Sequence, residues 1–268
     1  MSGTPLEDVT PLDRAHAAMQ EAPEDGVARL RFYERLADSE LFMMLSKEPE
    51  GEHIAPELFE TPEGRFVLVF DREERLAQFA GAAVPYAGLA GRGVVEMLAG
   101  QGIGLGVNLE VAPSSTLLPA DAIGWLHETL QNAPDQVEAE IEELLPPSGL
   151  PEILLTALDV KLATAAGLAA SAYLVSLRYV GGGQGHLLGF VAANPEAEPA
   201  LAQAVSEALT FSGIEAGALD VGFFAAADQM AARLARVGLR FDLPKPEEAK
   251  LYQPKIPGGD PDAPPILR

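Results

Sequence analysis

Ala170-Ser-Ala-Tyr-Leu-Val-Ser-Leu-Arg-Tyr-Val180, Gly181-Gly-Gly-Gln-Gly185 and His186-Leu-Leu-Gly-Phe-Val-Ala192 decide the fold class between them. The two flanking runs read as strands, and the glycine cluster between them as the turn of an antiparallel hairpin. Upstream, Pro151–Ala166 predicts a helix with Leu154, Leu155, Leu158 and Leu162 on one side, closed by Gly167. Downstream, Asn194-Pro195 is an N-cap with a first-turn proline, opening a helix to about Phe211 with Gly213 behind it. Leu219, Val221 and Phe223 alternate as a strand should. Asp228 caps a helix to Val237, Gly238 ends it, and Leu239–Leu243 is a last strand. The order α-β-β-α-β-α-β, a hairpin followed by alternation, implies a mixed sheet.

Before this block, Asn132–Gly149 is acidic (Asp135, Glu138, Glu140, Glu142, Glu143) and ends in Pro146-Pro147-Ser148-Gly149. It marks a domain boundary, within which Val137, Ile141, Leu144 and Leu145 can form one short amphipathic helix. Upstream again, Leu12, Ala15, His16 and Met19 recur at helical spacing, and Val27, Leu30, Tyr33, Glu34 and Leu36 predict a second helix. Leu41–Leu45 reads as a buried strand, and Arg65–Asp71 as another, introduced by the turn Thr61-Pro-Glu-Gly64. Asp71 is placed to cap a helix over Arg72–Phe79. A short strand near Tyr86–Leu89, a helix ending at Gly100, a strand Ile103–Leu109 and a helix Ala120–Gln131 follow. The expected fold is therefore α/β (mixed α+β), with two domains at 9–131 and 148–243 and an acidic linker at 132–147. A tail at 244–268 carries too much proline for helix or central strand and is expected to be extended or disordered.

The 268 residues carry a formal charge of −22. That sign repels nucleic-acid phosphates and anionic membrane surfaces, so neither is an expected partner. From Gly93 to Val160 there is no Lys or Arg, which suits a basic protein partner as well as a solvated surface. Cysteine is absent, which excludes disulfides, thiolate metal sites and a Cys nucleophile. No signal peptide is legible, and no apolar run approaches the roughly 20 residues of a membrane helix. A cytoplasmic location is expected.

Gly100, Gly102, Gly104 and Gly106 suggest a phosphate cradle, but they follow a helix and enter a strand, the reverse of a dinucleotide fingerprint. A helix C-cap leading into a closely approached strand fits them better. His127-Glu128 begins a zinc-protease pattern that Gln131 breaks, and His16, His53, His127 and His186 are scattered. No serine stands in a nucleophile elbow. No catalytic residue, metal site or cofactor is therefore assigned. The segment Gly100–Pro119 offers the best binding surface, through Asn108, Ser114 and Ser115, which both donate and accept hydrogen bonds. The same residue types are also the usual turn and capping residues.

Two sets of residues resemble a known family. Gly64-Arg-Phe66-Val-Leu-Val-Phe70-Asp71 with Leu76 and Phe79, then Leu98 to Gly102, Val107-Asn108, Pro113-Ser114 and Leu117-Leu118-Pro119, resemble the N-terminal domain of the bacterial SseB family. Ser148 to Leu243 resembles that family's C-terminal domain. The resemblance is to the enhanced-serine-sensitivity family and not to the helical type III secretion translocon protein of the same label. Related N-domains commonly read Asn-Pro-Gly-Ser after the strand, whereas here Leu-Glu-Val-Ala separates Asn108 from Pro113-Ser114. The resemblance and the acidity imply a non-catalytic interaction or regulatory protein with a protein partner. The alternative is a small-molecule-binding or hydrolytic enzyme, its site assembled from Asn108, Ser114, Ser115 and Arg92.

Overall fold

Two mixed sheets, each packed with helices, make up the computed structural model, which describes residues 9–49, 51, 53–132, 141–214 and 219–244. The first half runs α1 (Pro11–Glu21), α2 (Gly26–Asp38), β1 (Glu40–Met44), β2 (Leu58–Thr61), β3 (Gly64–Phe70), α3 (Glu73–Ala80) and β4 (Tyr86–Ala90). It continues through α4 (Gly91–Leu98), β5 (Ile103–Val107), β6 (Thr116–Leu118) and α5 (Ala120–Gln131). The sheet order is β4-β1-β3-β5-β6, with β2 beside the first half of β3. Only β3 and β5 pair in parallel. The turn at Thr61–Gly64 proves to join a hairpin, because β2 pairs with β3 up to Thr61 opposite Gly64.

Alternation along the strands sorts the core. Leu41, Met43, Val67, Val69, Leu105 and Val107 pack with Phe32, Leu36, Val94 and Ile123 from the helices. On the other face, Leu68 and Phe70 meet Leu76 and Phe79 of α3. Gly104 shows why β5 is glycine-rich. A Cβ there would lie 2.5 Å from the Leu118 carbonyl oxygen and equally close to the Phe66 ring.

The second half runs β7 (Ile141–Leu145), α6 (Glu152–Ala163), β8 (Ser171–Tyr179) and β9 (Gln184–Val191). A 3₁₀ turn at Pro195–Ala197 then leads into α7 (Glu198–Phe211), β10 (Asp220–Phe224), α8 (Gln229–Val237) and β11 (Leu239–Asp242). The hairpin turn is closed by the Tyr179 N–H donating to the Gly183 carbonyl at 2.8 Å. Gly181 and Gly182 take positive φ there, at 106° and 95°. The sheet order is β10-β9-β8-β11, and β10 is parallel to β9.

One expected element is different in kind. Ile141–Leu145 is a strand on β8, not part of a helix. Ile141 and Leu144 pack beside Val175, Leu177 and Leu234, so burial on a sheet outweighs the helical preference of Glu and Leu. Val137 and the rest of 133–140 lie outside the described residues, as does the tail beyond 244.

The halves touch. Phe211, at the end of α7, is fully buried in the core of the first sheet. Arg31 donates to the Ile153 carbonyl at 3.0 Å, and Gln203 to that of Leu130 at 2.9 Å. Among the described residues, no helix is long and apolar enough to cross a membrane.

Candidate functional site

Parallel strands β3 and β5 end side by side, with Val69 opposite Val107. In open α/β sheets, ligands bind at the carboxyl ends of such strands. Here the chain fills that place itself. Asn108 follows β5 in a left-handed conformation, φ 48°, which asparagine tolerates better than most residues. Its Oδ1 accepts from the Asp71 N–H at 3.0 Å and its Nδ2 donates to Ser114 Oγ at 2.8 Å.

Above these groups lies the N-terminus of α1. Thr10 and Asp13 form a reciprocal capping box: the Asp13 N–H donates to Thr10 Oγ1 at 3.1 Å, and the Thr10 N–H to Asp13 Oδ2 at 3.0 Å. Asp13 also accepts from Ser114 Oγ at 2.5 Å and from Arg75 at 2.5 and 3.1 Å. Asp71 accepts from Arg75 at 2.8 Å and from Thr10 Oγ1 at 2.6 Å. Two carboxylates thus share one guanidinium. Asp71 does not cap the helix that follows. Arg72 stands at the N-cap of α3 and its side chain makes no capping hydrogen bond, while the Asp71 carboxylate is turned toward Arg75 and Thr10.

Asn108, Ser114 and Asp13 are all buried. Burial alone would push the Asp13 carboxyl up, but hydrogen bonds from Arg75, Ser114 and Thr10, with the Arg75 charge, hold it at about 2. A carboxylate so stabilised is a poor general base near neutral pH, and Ser114 Oγ has no exposed surface to offer a substrate. The arrangement clamps α1 onto the strand ends. It does not present a reactive group.

Of the three residues expected to bind, two therefore meet in this centre and are not the exposed groups their composition suggests. Ser115 is exposed, its Oγ accepting from the Glu110 N–H at 3.2 Å. Arg92 is engaged elsewhere. It donates to Asp38 at 2.9 Å and Glu207 at 3.3 Å, beside Lys161, whose Nζ lies 2.7 Å from Asp38 and 2.9 Å from Glu207. Glu34 stands 3.6 Å from Lys161, an ion pair longer than a hydrogen bond. Burial pulls the Lys161 ammonium down, yet Asp38 and Glu207 outweigh it and hold it above its ordinary value. Burial raises the Glu34 carboxyl. This cluster fastens α2 and α4 to α6 and α7.

Thr10, Asp13 and Arg75 escape the sequence reading, although Thr10-x-x-Asp13 has capping-box spacing and Asp71–Arg75 is an i,i+4 pair. Among the described residues, no group of three or more His, Cys, Asp or Glu is placed to hold a metal ion.

The open surface has a different character. Trp125 is 40% exposed, its ring edge-on to Tyr33 at 5.2 Å between centroids. Shallow hollows lie on either side of it.

Residues 12–125 match the family model of the SseB protein N-terminal domain. The matched residues contain every strand of the first sheet, the centre built on Asp13, Arg75, Asn108 and Ser114, and Trp125 at their end. The second sheet lies outside the SseB match. No curated protein and no solved structure matches the chain.

Proposed function

We propose that the chain is a non-catalytic interaction or regulatory protein of the SseB family, acting in the cytoplasm through a protein partner. It is distinct, in this reading, from the type III secretion translocon protein that shares the label. One observation carries the reading: the strand ends where an α/β sheet would hold a ligand are sealed by the chain's own buried, mutually satisfied side chains. A protein built this way acts through its outer surface. The segment 108–115 serves as a rigid recognition element, with Asn108 and Ser114 fixing its shape from inside and Ser115 facing the partner.

The test has two arms. The full chain and its Ser114→Ala variant are assayed against panels of ester, amide and phosphoester substrates, with no turnover expected. Turnover that Ser114→Ala removes overturns the reading in favour of a hydrolytic enzyme. In the native host, cross-linking mass spectrometry is expected to return one reproducible protein partner on the first half of the chain. Cross-links confined to the chain itself would count against the reading as firmly.

A further inference from the structure

The sequence contains a single tryptophan, and it is exposed. An indole carries a large apolar area, and this one does not stand alone: it shares a continuous open surface with Leu30, Tyr33 and Ala122. Asp121, Trp125 and Glu128 stand at i, i+4 and i+7 on α5, which puts acid, aromatic and acid on one face of the helix. All three are exposed, and among the described residues neither carboxylate has an ion-pair partner.

The ground beside the indole is open. One hollow is lined by Gly100, Gly102 and Gly124 together with Asp121 and Glu128. A Cβ on any of these three glycines would meet nothing within 4 Å. Glycine inside a helix is unfavourable relative to alanine, and no packing requires it at Gly124. Its effect is to keep the floor beside Trp125 low. The hollow on the other side is apolar, formed by Gly26, Leu30, Tyr33 and Ala122, with Arg29 at its rim.

Charge selects the occupant. The wall carrying Asp121 and Glu128 belongs to a stretch, Gly93 to Val160, without Lys or Arg. With a formal charge of −22, a second copy would be repelled from this face, as would nucleic acid or an anionic lipid surface. A guanidinium suits it, because it stacks on an indole face and pairs with carboxylates in the same plane.

We propose that this face of α5 docks an arginine-bearing segment of a partner protein. The guanidinium lies against Trp125 between Asp121 and Glu128, and a neighbouring apolar side chain enters the hollow of Leu30 and Tyr33. The proposal rests on the interaction reading above and names the chemistry of the partner.

A random dodecapeptide display library, selected against the full chain, tests it. Enriched peptides are expected to carry arginine beside an apolar residue and to shift Trp125 emission saturably, with no other indole to confuse the signal. By anisotropy of the labelled peptides, Trp125→Ala should weaken binding by ~10-fold or more, and Asp121→Asn with Glu128→Gln by ~3-fold or more. Gly124→Leu, which fills the hollow without touching a charge, should weaken it too. Melting temperatures of all variants are checked first. If Trp125→Ala does not fold, the other two variants decide. No enrichment, enriched peptides without arginine, or undiminished binding by the folded variants overturns the proposal. A reproducible partner cross-linked elsewhere on the chain would then leave the interaction reading standing, whereas turnover removed by Ser114→Ala would end that reading whatever the peptides do.

Discussion

Asp13 ties three parts of the first half together, α1, Arg75 and the loop before β6. Its folded-state pKa of about 2 lies below the ordinary 3.8. The stabilisation it gives is therefore complete above pH ~4 and is lost as pH falls through about 2, amounting to about 2 kcal/mol. Asp13→Asn should lower stability by about 3 kcal/mol at neutral pH, because it leaves Arg75 short of a charge partner in a buried site. It should also flatten the acid limb of the stability profile between pH 4 and 2. Urea melts at a series of pH values measure both, and an unchanged acid limb would show that other carboxylates control it. The sequence puts Asn108 and Ser114 forward as binding groups of a glycine-rich stretch, and the structure places both side chains inside. Their burial was not legible, because the group that covers Ser114 is Asp13, 101 residues earlier in the chain.

Periodicity identifies most helices and strands, and it fails where two elements share one partner. Strand β8 is long enough to pair with β11 along Ser171–Leu174 and with β7 along Ser176–Tyr179. Strand β7 is too short and too acidic to declare itself, and only the open edge of β8 makes it a strand. The same holds for β2, which fills the edge of β3 that β1 leaves free. Leu144→Pro should remove the β7 pairing opposite Leu177, since proline cannot donate to the ladder. Hydrogen exchange of the full chain is expected to speed up in Ser176–Tyr179 and α8, while amides of the first sheet keep their protection. Equal loss of protection in both sheets would mean that β7 belongs to a single cooperative unit with the whole chain.

The two halves are fastened by charge as well as by apolar contact, and the charges do not balance. Glu34, Asp38 and Glu207 face Lys161 and Arg92. Lys161→Met should cost ~3 kcal/mol and separate the calorimetric unfolding into two transitions, because it strands buried carboxylates at the junction. Glu34→Gln should do the reverse. Burial raises the Glu34 pKa, so its ionisation works against folding at neutral pH, and Oε1 has no hydrogen-bond donor. A stability equal to or above that of the unaltered chain is expected, and a loss comparable to that of Lys161→Met would show the excess carboxylate to be needed. The cluster was not legible in the sequence, where Glu34 falls in the periodic pattern of the second helix, Arg92 is read as a candidate site residue, and Asp38, Lys161 and Glu207 look like ordinary helical surface charges.

Phe211 gives the junction an order in time. The N-terminal half leaves the ribosome with its strands and helices complete by Gln131, yet one aromatic ring of its interior is encoded 80 positions later. Until α7 has been synthesised, the nascent first half carries an apolar vacancy beside α2, and at ordinary elongation rates that state lasts for seconds. During those seconds the first half is open to chaperones and proteases in a way the finished chain is not. The arrival of a single phenylalanine at the end of α7 closes it.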